Sequence, residues 1–239
     1  MKTLEIFDYP LYWEMTTNEK LVLVHLLEDI KPIVSIEIGC KKGGSLQVIS
    51  EYSKEVFSLD IDPAVRILEK DFPNVDFVIG DSKETLPKLL KKLSEEDKSP
   101  DFILVDGEHS TEGVRSDINF ILESSITKPL TILMHDSFNP NCRRGMLTAN
   151  YAANKNVHFV DIDFLQGTYS VSKAVSGEMW GGFGMIYLKP GARINEPEIK
   201  QSLQYSFERT LRLSKHLNND PVSFSERVKS FFLKRYFIK

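Results

Sequence analysis

The sequence has few cysteines and no excess of positive charge. Two of its 239 residues are Cys, Cys40 and Cys142, too few for a disulfide framework or a four-thiolate zinc site. We therefore expect a reducing, cytoplasmic environment. Lys and Arg number 30 against 34 Asp and Glu, for a formal net charge of −4. Because the chain lacks the basic field that binding to duplex nucleic acid usually requires, we expect no nucleic-acid partner.

A long apolar run is also missing. The longest apolar stretch, residues 21–27, contains His25 and is far shorter than the roughly 20 residues of a membrane-spanning helix. Glu5, Asp8 and Glu14 stand where a signal peptide would have its basic start and apolar centre. The sequence therefore predicts neither a transmembrane segment nor a secretion signal.

Between residues 33 and 136, short β-branched runs alternate with segments of helical periodicity. This alternation is typical of a parallel sheet with crossover helices, and the continuous apolar runs indicate strands that are covered on both faces. We predict strands over residues 33–38, 55–59, 76–79, 102–105 and 131–134, and helices over residues 45–52, 63–72, 85–94 and 111–123. Asp62 is predicted to cap the helix that has Pro63 in its first turn.

The pattern changes after Asp136. Here the sequence predicts a polar segment over 139–145, a helix over 146–154, and strands over 158–164 and 182–188 that pair antiparallel at the sheet edge. Apolar residues then recur every four positions at Ile199, Leu203, Phe207 and Leu211, which predicts an amphipathic helix. With a helix over 18–30, the chain divides into an N-terminal helical segment (1–32), an α/β domain (33–190) and a C-terminal helical appendage (191–239).

The C-terminal appendage is basic and aromatic. It holds ten Lys or Arg against five Asp or Glu, and a second predicted helix starts near Pro221. One interpretation is peripheral contact with a membrane surface or an anionic partner. The other is packing of the aromatic residues on the domain itself or on a second subunit, which would give a homo-oligomer. The residues concerned are Phe224, Arg227, Lys229, Phe231, Phe232, Lys234, Arg235, Tyr236 and Phe237.

A glycine-rich turn follows the first predicted strand. The segment from Glu37 to Ser45 reads Glu-Ile-Gly-Cys-Lys-Lys-Gly-Gly-Ser, and such a turn lets the backbone and a helix N-terminus approach a ligand closely. Its spacing differs from the Gly-x-Gly-x-x-Gly of dinucleotide-binding folds. A carboxylate at position 37 also repels a pyrophosphate and attracts a cationic amino group, which disfavours a nicotinamide-dependent dehydrogenase.

Acidic and small polar residues end the next two predicted strands. The second ends in Asp60-Ile61-Asp62 and the third in Gly80-Asp81-Ser82. In nucleotide-binding α/β folds, an acid at the end of the second strand accepts hydrogen bonds from ribose hydroxyls. Ligands of such folds lie at the carboxyl ends of the strands. Asp62 fits a helix-capping carboxylate, a role that we do not expect for Asp60.

These three motifs, in this order, resemble those of class I S-adenosylmethionine (SAM) methyltransferases over residues 33–188. The resemblance implies a Rossmann-like, mostly parallel sheet with its last strand antiparallel, flanked by helices. It also implies that Glu37 holds the methionine ammonium group, Asp60 the ribose, and Asp81 with Ser82 the adenine. The full set of cofactor-binding residues implied is Glu37, Gly39, Cys40, Gly43, Ser45, Asp60, Ile61, Asp81, Ser82 and Asp106.

The segment Asp106-Gly-Glu-His109-Ser-Thr-Glu-Gly-Val is more specific. It resembles the branch that contains cephalosporin-hydroxylase-like proteins and macrolide-sugar O-methyltransferases. The resemblance implies a divalent ion at Asp106, His135 and Asp136, and hard oxygen donors suit Mg²⁺ or Mn²⁺. His135 replaces a carboxylate of some relatives, which favours Mn²⁺ or weakens the site. An alternative alignment pairs Asp136 with Ser137 and leaves His135 outside the ligand set.

His109 stands where those relatives place the catalytic base. An imidazole that titrates near neutrality can accept the proton of an acceptor hydroxyl during methyl transfer; the alternative role for His109 is to cap the helix that starts near Thr111. We expect metal-assisted O-methylation of a small molecule or sugar. The rival interpretations are metal-independent N- or C-methylation and a non-catalytic SAM-binding protein. Residues expected to line the acceptor are Tyr12, Trp13, Phe138, Arg143, Arg144 and Trp180.

Overall fold

A computed structural model of the chain describes residues 8–170 and 173–217. The α-helices are α1 (Thr17–Ile30), α2 (Leu46–Tyr52), α3 (Ser82–Glu95), α4 (Thr111–Glu123), α5 (Pro140–Leu147) and α6 (Gln204–Leu211). The strands are β1 (Val34–Ile38), β2 (Glu55–Asp60), β3 (Val75–Ile79), β4 (Phe102–Val105), β5 (Leu130–His135), β6 (Val157–Leu165), β7 (Thr168–Tyr169), β8 (Met179–Trp180), β9 (Phe183–Leu188) and β10 (Ile199–Lys200). Short 3₁₀ helices span Pro63–Leu68 and Tyr151–Ala153.

An eight-stranded sheet in the order β10-β6-β9-β5-β4-β1-β2-β3 organises these elements. Strands β3, β2, β1, β4 and β5 are parallel neighbours, whereas β9 runs antiparallel between β5 and β6. The predicted Rossmann-like sheet is therefore confirmed, together with the antiparallel pairing of the two late strands. Strand β9 lies inside the sheet, and β10 adds a short parallel edge next to β6.

The strands of the sheet are buried on both faces. Along β4, Ile103 and Val105 pack into one core with α3 and α4, while Phe102 and Leu104 pack into a second core with α1 and α2. This alternation follows from the period of two in a strand and explains the continuous apolar runs in the sequence. Helices on both faces leave the carboxyl ends of the parallel strands as the edge that is open to a ligand.

Helix α1 confirms the N-terminal helix and is fixed at both ends. Thr16 and Glu19 form a capping box at its start, which satisfies backbone N–H groups that the helix leaves free. Leu23, Val24 and Leu27 are buried against the sheet, so α1 is part of the domain core. No helix among residues 8–170 and 173–217 is both long and apolar enough to span a membrane.

Two predictions for the second half of the chain are wrong. The segment predicted as polar is helix α5, because Asn139 caps it and Pro140 occupies its first turn; the predicted helix over 146–154 is only the end of α5 and a 3₁₀ turn. The predicted amphipathic helix starts late, since Ile199 belongs to β10 and α6 begins at Gln204. The helix predicted from Pro221 and its basic aromatic residues lie outside the described residues.

Candidate active site

Two groups of polar residues meet at the carboxyl edge of the sheet. We call the first the glycine-turn side, made of Glu37, the turn 39–44, Asp60 and Asp81 at the ends of β1, β2 and β3. The second is the histidine side, made of Asp106, His109, His135 and Asp136 at the ends of β4 and β5. The two sides are neighbours because β1 pairs with β4.

Gly39 forms the contact between the two sides. Its φ of +91° lies in the left-handed region that favours glycine. A Cβ atom at this position would clash with the carbonyl oxygen of Asp106. Only a residue without a side chain therefore lets β1 turn this close to β4. Gly44 is similarly crowded by the backbone of Tyr12 and Trp13, so the chain before α1 covers the turn.

Glu37 lies beneath the turn with no solvent exposure. The hydroxyl groups of Ser45 and Ser58 donate to its two carboxyl oxygens at 2.6 and 2.9 Å. Burial raises the pKa of Glu37 to about 7, since the charged form loses its hydration and the two hydroxyls compensate only in part. Ser45 thus contributes to the site by holding Glu37.

Asp60 is not a helix cap, as expected, but its carboxylate holds the glycine-rich turn. One carboxylate oxygen accepts from the backbone N–H groups of Cys40 and Lys41 at 2.9 Å each, and the other from Asp62 N–H at 2.8 Å. Asp62 is a helix cap, as predicted. Ile61, between them, exposes 73% of its surface at the mouth of the site. Cys40 is buried, and burial raises the pKa of its thiol, so it packs.

Asp81 and Ser82 begin α3 at the end of β3. Asp81 is the N-cap and accepts from Lys83 N–H at 2.9 Å, while Ser82 is the first helical residue. Beneath them lies Asp117 of α4, a buried acid that our sequence analysis missed. It faces Gly107 and interacts with Ser82. Burial raises the pKa of Asp117 to about 6.

The histidine side is a compact cluster of two carboxylates and two imidazoles. His109 Nε2 lies 3.3 Å from both Asp106 Oδ1 and Asp136 Oδ2. His135 Nδ1 lies 3.0 Å from Asp106 Oδ1 and 3.5 Å from Asp136 Oδ2. One ligand atom each of Asp106, His109 and Asp136 lies within 4.8 Å of the others. The structure therefore brings together all four residues predicted for the metal and the base.

The residues of this cluster shift one another's pKa values. Burial would raise the pKa of Asp106, but the charges and hydrogen bonds of His135 and His109 hold it well below its ordinary value. The hydrogen bond to Asp106 raises the pKa of His109. Burial also raises the pKa of Asp136. Buried carboxylates that are paired to imidazoles, with pKa values shifted in this way, are typical of catalytic and metal sites.

Glu19 is the main site residue that the sequence did not reveal. Its side chain reaches from α1 to His135, with Oε1 3.3 Å from Nε2, and Oε1 also accepts from Gly182 N–H at 2.5 Å. Its other oxygen accepts from Thr16 N–H and hydroxyl at 2.6 Å each. The capping-box pattern in the sequence indicates that Glu19 caps the start of α1. It gives no indication that Glu19 contacts His135.

A turn between β8 and β9 closes the histidine side. Asp136, at φ +59°, accepts from Gly181 N–H at 2.5 Å. The Trp180 ring stands edge-on to the His109 ring with centroids 5.5 Å apart. Trp180 therefore flanks the candidate base, and its place near the acceptor stays a prediction.

The other residues that were predicted to line the acceptor differ in their surroundings. Arg143 is buried and makes a two-point ion pair with Asp163 at 2.7 and 3.2 Å, so its guanidinium is already paired and the prediction that Arg143 lines the acceptor is wrong. Phe138 packs edge-on against Phe207 of α6. Trp13 is buried in the core. Tyr12 and Arg144 are exposed.

Comparisons with known proteins support the fold described above. Residues 36–137 match the family model described as a methyltransferase domain. No curated protein matches the sequence. The fold is similar to the O-methyltransferase TomG from Streptomyces achromogenes, involved in Tomaymycin synthesis and solved with SAM, at 13% identity over 80% of this chain and 87% of that chain, with a TM-score of 0.52.

Two further solved structures share the fold. The O-methyltransferase from Bacillus cereus, in complex with S-adenosylhomocysteine (SAH), has 16% identity over 79% of this chain and 90% of that chain, with a TM-score of 0.51. Cofactor-bound Rv0187 from MTB has 14% identity over 79% of this chain and 88% of that chain, with a TM-score of 0.54. Together with the family match, these structures confirm the predicted methyltransferase fold.

Proposed function

We propose that the chain is a class I methyltransferase that transfers the methyl group of SAM to a hydroxyl group of a small molecule or sugar, assisted by Mg²⁺ or Mn²⁺. The observation that carries this proposal is the position of the Asp106, His109 and Asp136 cluster directly beside the glycine-rich turn, with Gly39 against Asp106. A methyl donor on the turn and an acceptor at the cluster would be adjacent.

The glycine-turn side fits SAM in its chemistry. Asp60 and Asp81 place carboxylates at adjacent strand ends, suited to ribose hydroxyls and to the adenine amino group. An acidic edge of this kind also disfavours a pyrophosphate. Glu37 is buried with its oxygens on hydroxyl groups, so we propose that it acts on the methionine ammonium group as a charge beneath the turn. SAM would supply a methyl group on a positively charged sulfur.

The histidine side fits a divalent ion. Carboxylate oxygens of Asp106 and Asp136 and an imidazole nitrogen are ligands that Mg²⁺ and Mn²⁺ sites use, with a stronger preference of imidazole for transition metals. Asp106, Asp136 and His135 would hold the ion. When bound, it would draw electron density from the acceptor hydroxyl and make that proton easier to remove.

His109 would act as the base. Its side chain is 42% exposed, next to Trp180, and so reaches the space where an acceptor would lie. As the acceptor oxygen forms its bond to the methyl carbon, the carbon–sulfur bond would break, SAH would leave, and the imidazole of His109 would take the hydroxyl proton. The three O-methyltransferase features that support a hydroxyl acceptor are this base, the adjacent acids and the similarity in fold to TomG and the Bacillus cereus enzyme.

SAH binding tests the cofactor assignment. We expect calorimetry to show binding, and Asp60→Ala to weaken it by about 1 to 3 kcal/mol through the loss of charge-assisted hydrogen bonds. Asp62→Ala is the matched control, because it removes an acid two residues away that only caps a short helix; its affinity should stay close to wild type. An absence of SAH binding in the wild type would contradict the proposed function.

Chelation separates the metal from the cofactor. In a screen of hydroxylated sugars and phenols with labelled SAM, EDTA and Asp136→Ala should both abolish turnover and leave SAH affinity within about threefold, since the ion would contact the acceptor. Full turnover in EDTA would contradict metal assistance. Methyl transfer to nitrogen or carbon, read from the product by NMR, would favour the rival enzyme class, and SAH binding with no turnover on any acceptor would favour a non-catalytic protein.

A further inference from the structure

A buried carboxylate stands behind His135. Glu19 is 1% exposed, and its Oε1 lies 3.3 Å from His135 Nε2. The opposite ring nitrogen, Nδ1, lies 3.0 Å from Asp106 Oδ1 and 3.5 Å from Asp136 Oδ2. The imidazole is therefore held between one carboxylate on α1 and two carboxylates at the candidate metal site.

This arrangement fixes the direction of the ring nitrogens. Since Glu19 Oε1 can only accept, Nε2 carries the proton that faces it. A neutral imidazole then presents the lone pair of Nδ1 towards Asp106 and Asp136. Lone pairs and carboxylate oxygens at this distance repel each other unless a cation lies among them, either a proton on Nδ1 or a metal ion that displaces it.

We propose that Glu19 is a positioning residue that holds His135 as a nitrogen ligand of the divalent ion, so that the site prefers Mn²⁺ to Mg²⁺. This inference rests on the metal part of the proposed function. A metal-ligating histidine usually donates its other N–H to a carboxylate or carbonyl, which orients the ring and makes its free nitrogen a better donor. Imidazole beside carboxylates favours Mn²⁺ and later transition metals over Mg²⁺, which prefers oxygen ligands alone.

Glu19 is itself rigidly held. Thr16 donates two hydrogen bonds to one of its oxygens, and Gly182 N–H donates to the other. The tip of Glu19 crowds Gly181, where a Cβ atom would clash with Oε1. A carboxylate fixed from both sides orients His135 at little further entropic cost, because its rotamer is already set by the capping box.

Metal titration of the full chain tests the proposal. Free Mn²⁺ is measured by EPR during titration with MnCl₂, and Mg²⁺ is added in competition. Wild type should bind Mn²⁺ at least tenfold more tightly than Mg²⁺. Glu19→Gln should weaken Mn²⁺ binding by about 10- to 100-fold, the usual effect of losing such a partner. Glu28→Gln, on the same helix and partly exposed, is the matched control and should leave Mn²⁺ affinity unchanged.

A double-mutant cycle shows whether Glu19 acts through His135. His135→Asn should abolish the preference for Mn²⁺, and in that background Glu19→Gln should cause no further loss of Mn²⁺ affinity. The same loss in both backgrounds, or a wild type without Mn²⁺ preference, would overturn the proposal. If Glu19→Gln does not fold, the Mn²⁺ and Mg²⁺ affinities of His135→Asn still test whether His135 sets the metal preference. SAH binding by the same samples separates this outcome from failure of the methyltransferase assignment, which predicts SAH binding with or without metal.

Discussion

The glycine-turn side and the histidine side are built in different ways. On the glycine-turn side, the long-range hydrogen bonds of Glu37 and Asp60 join neighbouring strand ends, such as Cys40 to Asp60 and Ser58 to Glu37, 20 and 21 residues apart. On the histidine side, Glu19 contacts His135 and Gly182, which are 116 and 163 residues away. The two carboxylates of the first side are positioned by adjacent βα units, whereas the contacts of Glu19 on the second side form only when distant parts of the domain are in place.

The two sides also differ in how their carboxylates are stabilised. Glu37 and Asp60 are satisfied by hydroxyls and backbone N–H groups, which are neutral donors. Asp106 and Glu19 depend on His109 and His135, whose pKa values the neighbouring carboxylates raise. The carboxylates of the glycine-turn side are therefore held by neutral donors, while those of the histidine side are held by groups that can carry charge.

The largest expected effect comes from Gly39, where both sides meet. Gly39→Ala places a Cβ against Asp106 O at φ +91°, and strain plus clash should lower the free energy of unfolding by about 2 to 6 kcal/mol. Urea unfolding measures this loss in the free energy of unfolding. Gly191→Ala is the control, because φ there is +108° with no atom near the new Cβ. Equal losses in the two variants would show that the β1–β4 contact carries no cost of its own.

His109→Ala should damage the histidine side alone. Loss of a general base lowers kcat by about 10² to 10⁴, and we expect SAH affinity and Mn²⁺ affinity to stay within about threefold. His25→Ala, an exposed histidine on α1, should keep full turnover. If His109→Ala loses Mn²⁺ affinity as strongly as turnover, His109 is a metal ligand and the base lies elsewhere.

Glu37→Gln probes the glycine-turn side through pH. The folded pKa of about 7 lies above the ordinary 4.5, so the folded chain holds a proton that the unfolded chain loses between these values. Stability contributed by this group is full below pH 4.5 and falls as pH rises to 7, by up to about 3 kcal/mol. Urea unfolding at pH 5 and 7.5 should show a smaller decline in Glu37→Gln than in wild type. Glu95→Gln, at an exposed position on α3, is the control and should show the same decline in unfolding free energy as wild type. If Glu37→Gln also declines as much as wild type, the carboxyl group of Glu37 has no raised pKa.

The sheet and the glycine-turn side were predictable because their signals are local. Period-two apolar runs, Gly at a sharp turn and acids at strand ends stand together in the sequence, and the structure keeps them together. Asp60 shows the limit of such signals, since the acid expected to face a ligand also caps the turn. Its neighbourhood was predicted, whereas its hydrogen-bond partners were not.

The elements after Asp136 were harder to predict, because one sequence pattern is compatible with several structures. Ile199 has the spacing of a helix with Leu203 and Phe207, yet it packs on the core from a two-residue strand. Asn139-Pro140 signalled the start of α5, but the polar composition of the segment concealed it. Arg143 is polar and buried only because Asp163 on β6 pairs with it, which no local pattern contains.

The position of β9 has a consequence for the order in which the molecule is made. Strand β9 lies between β5 and β6 but is synthesised after both, so a chain emerging from the ribosome carries an unpaired β5 edge until residues 183–188 have left the tunnel. Such an edge is open to pairing with another chain. His135 of β5 pairs with Phe183 of β9. Next to this pair, the backbone N–H of Gly182 donates to Glu19. The histidine side is thus completed late, when β9 joins helix α1.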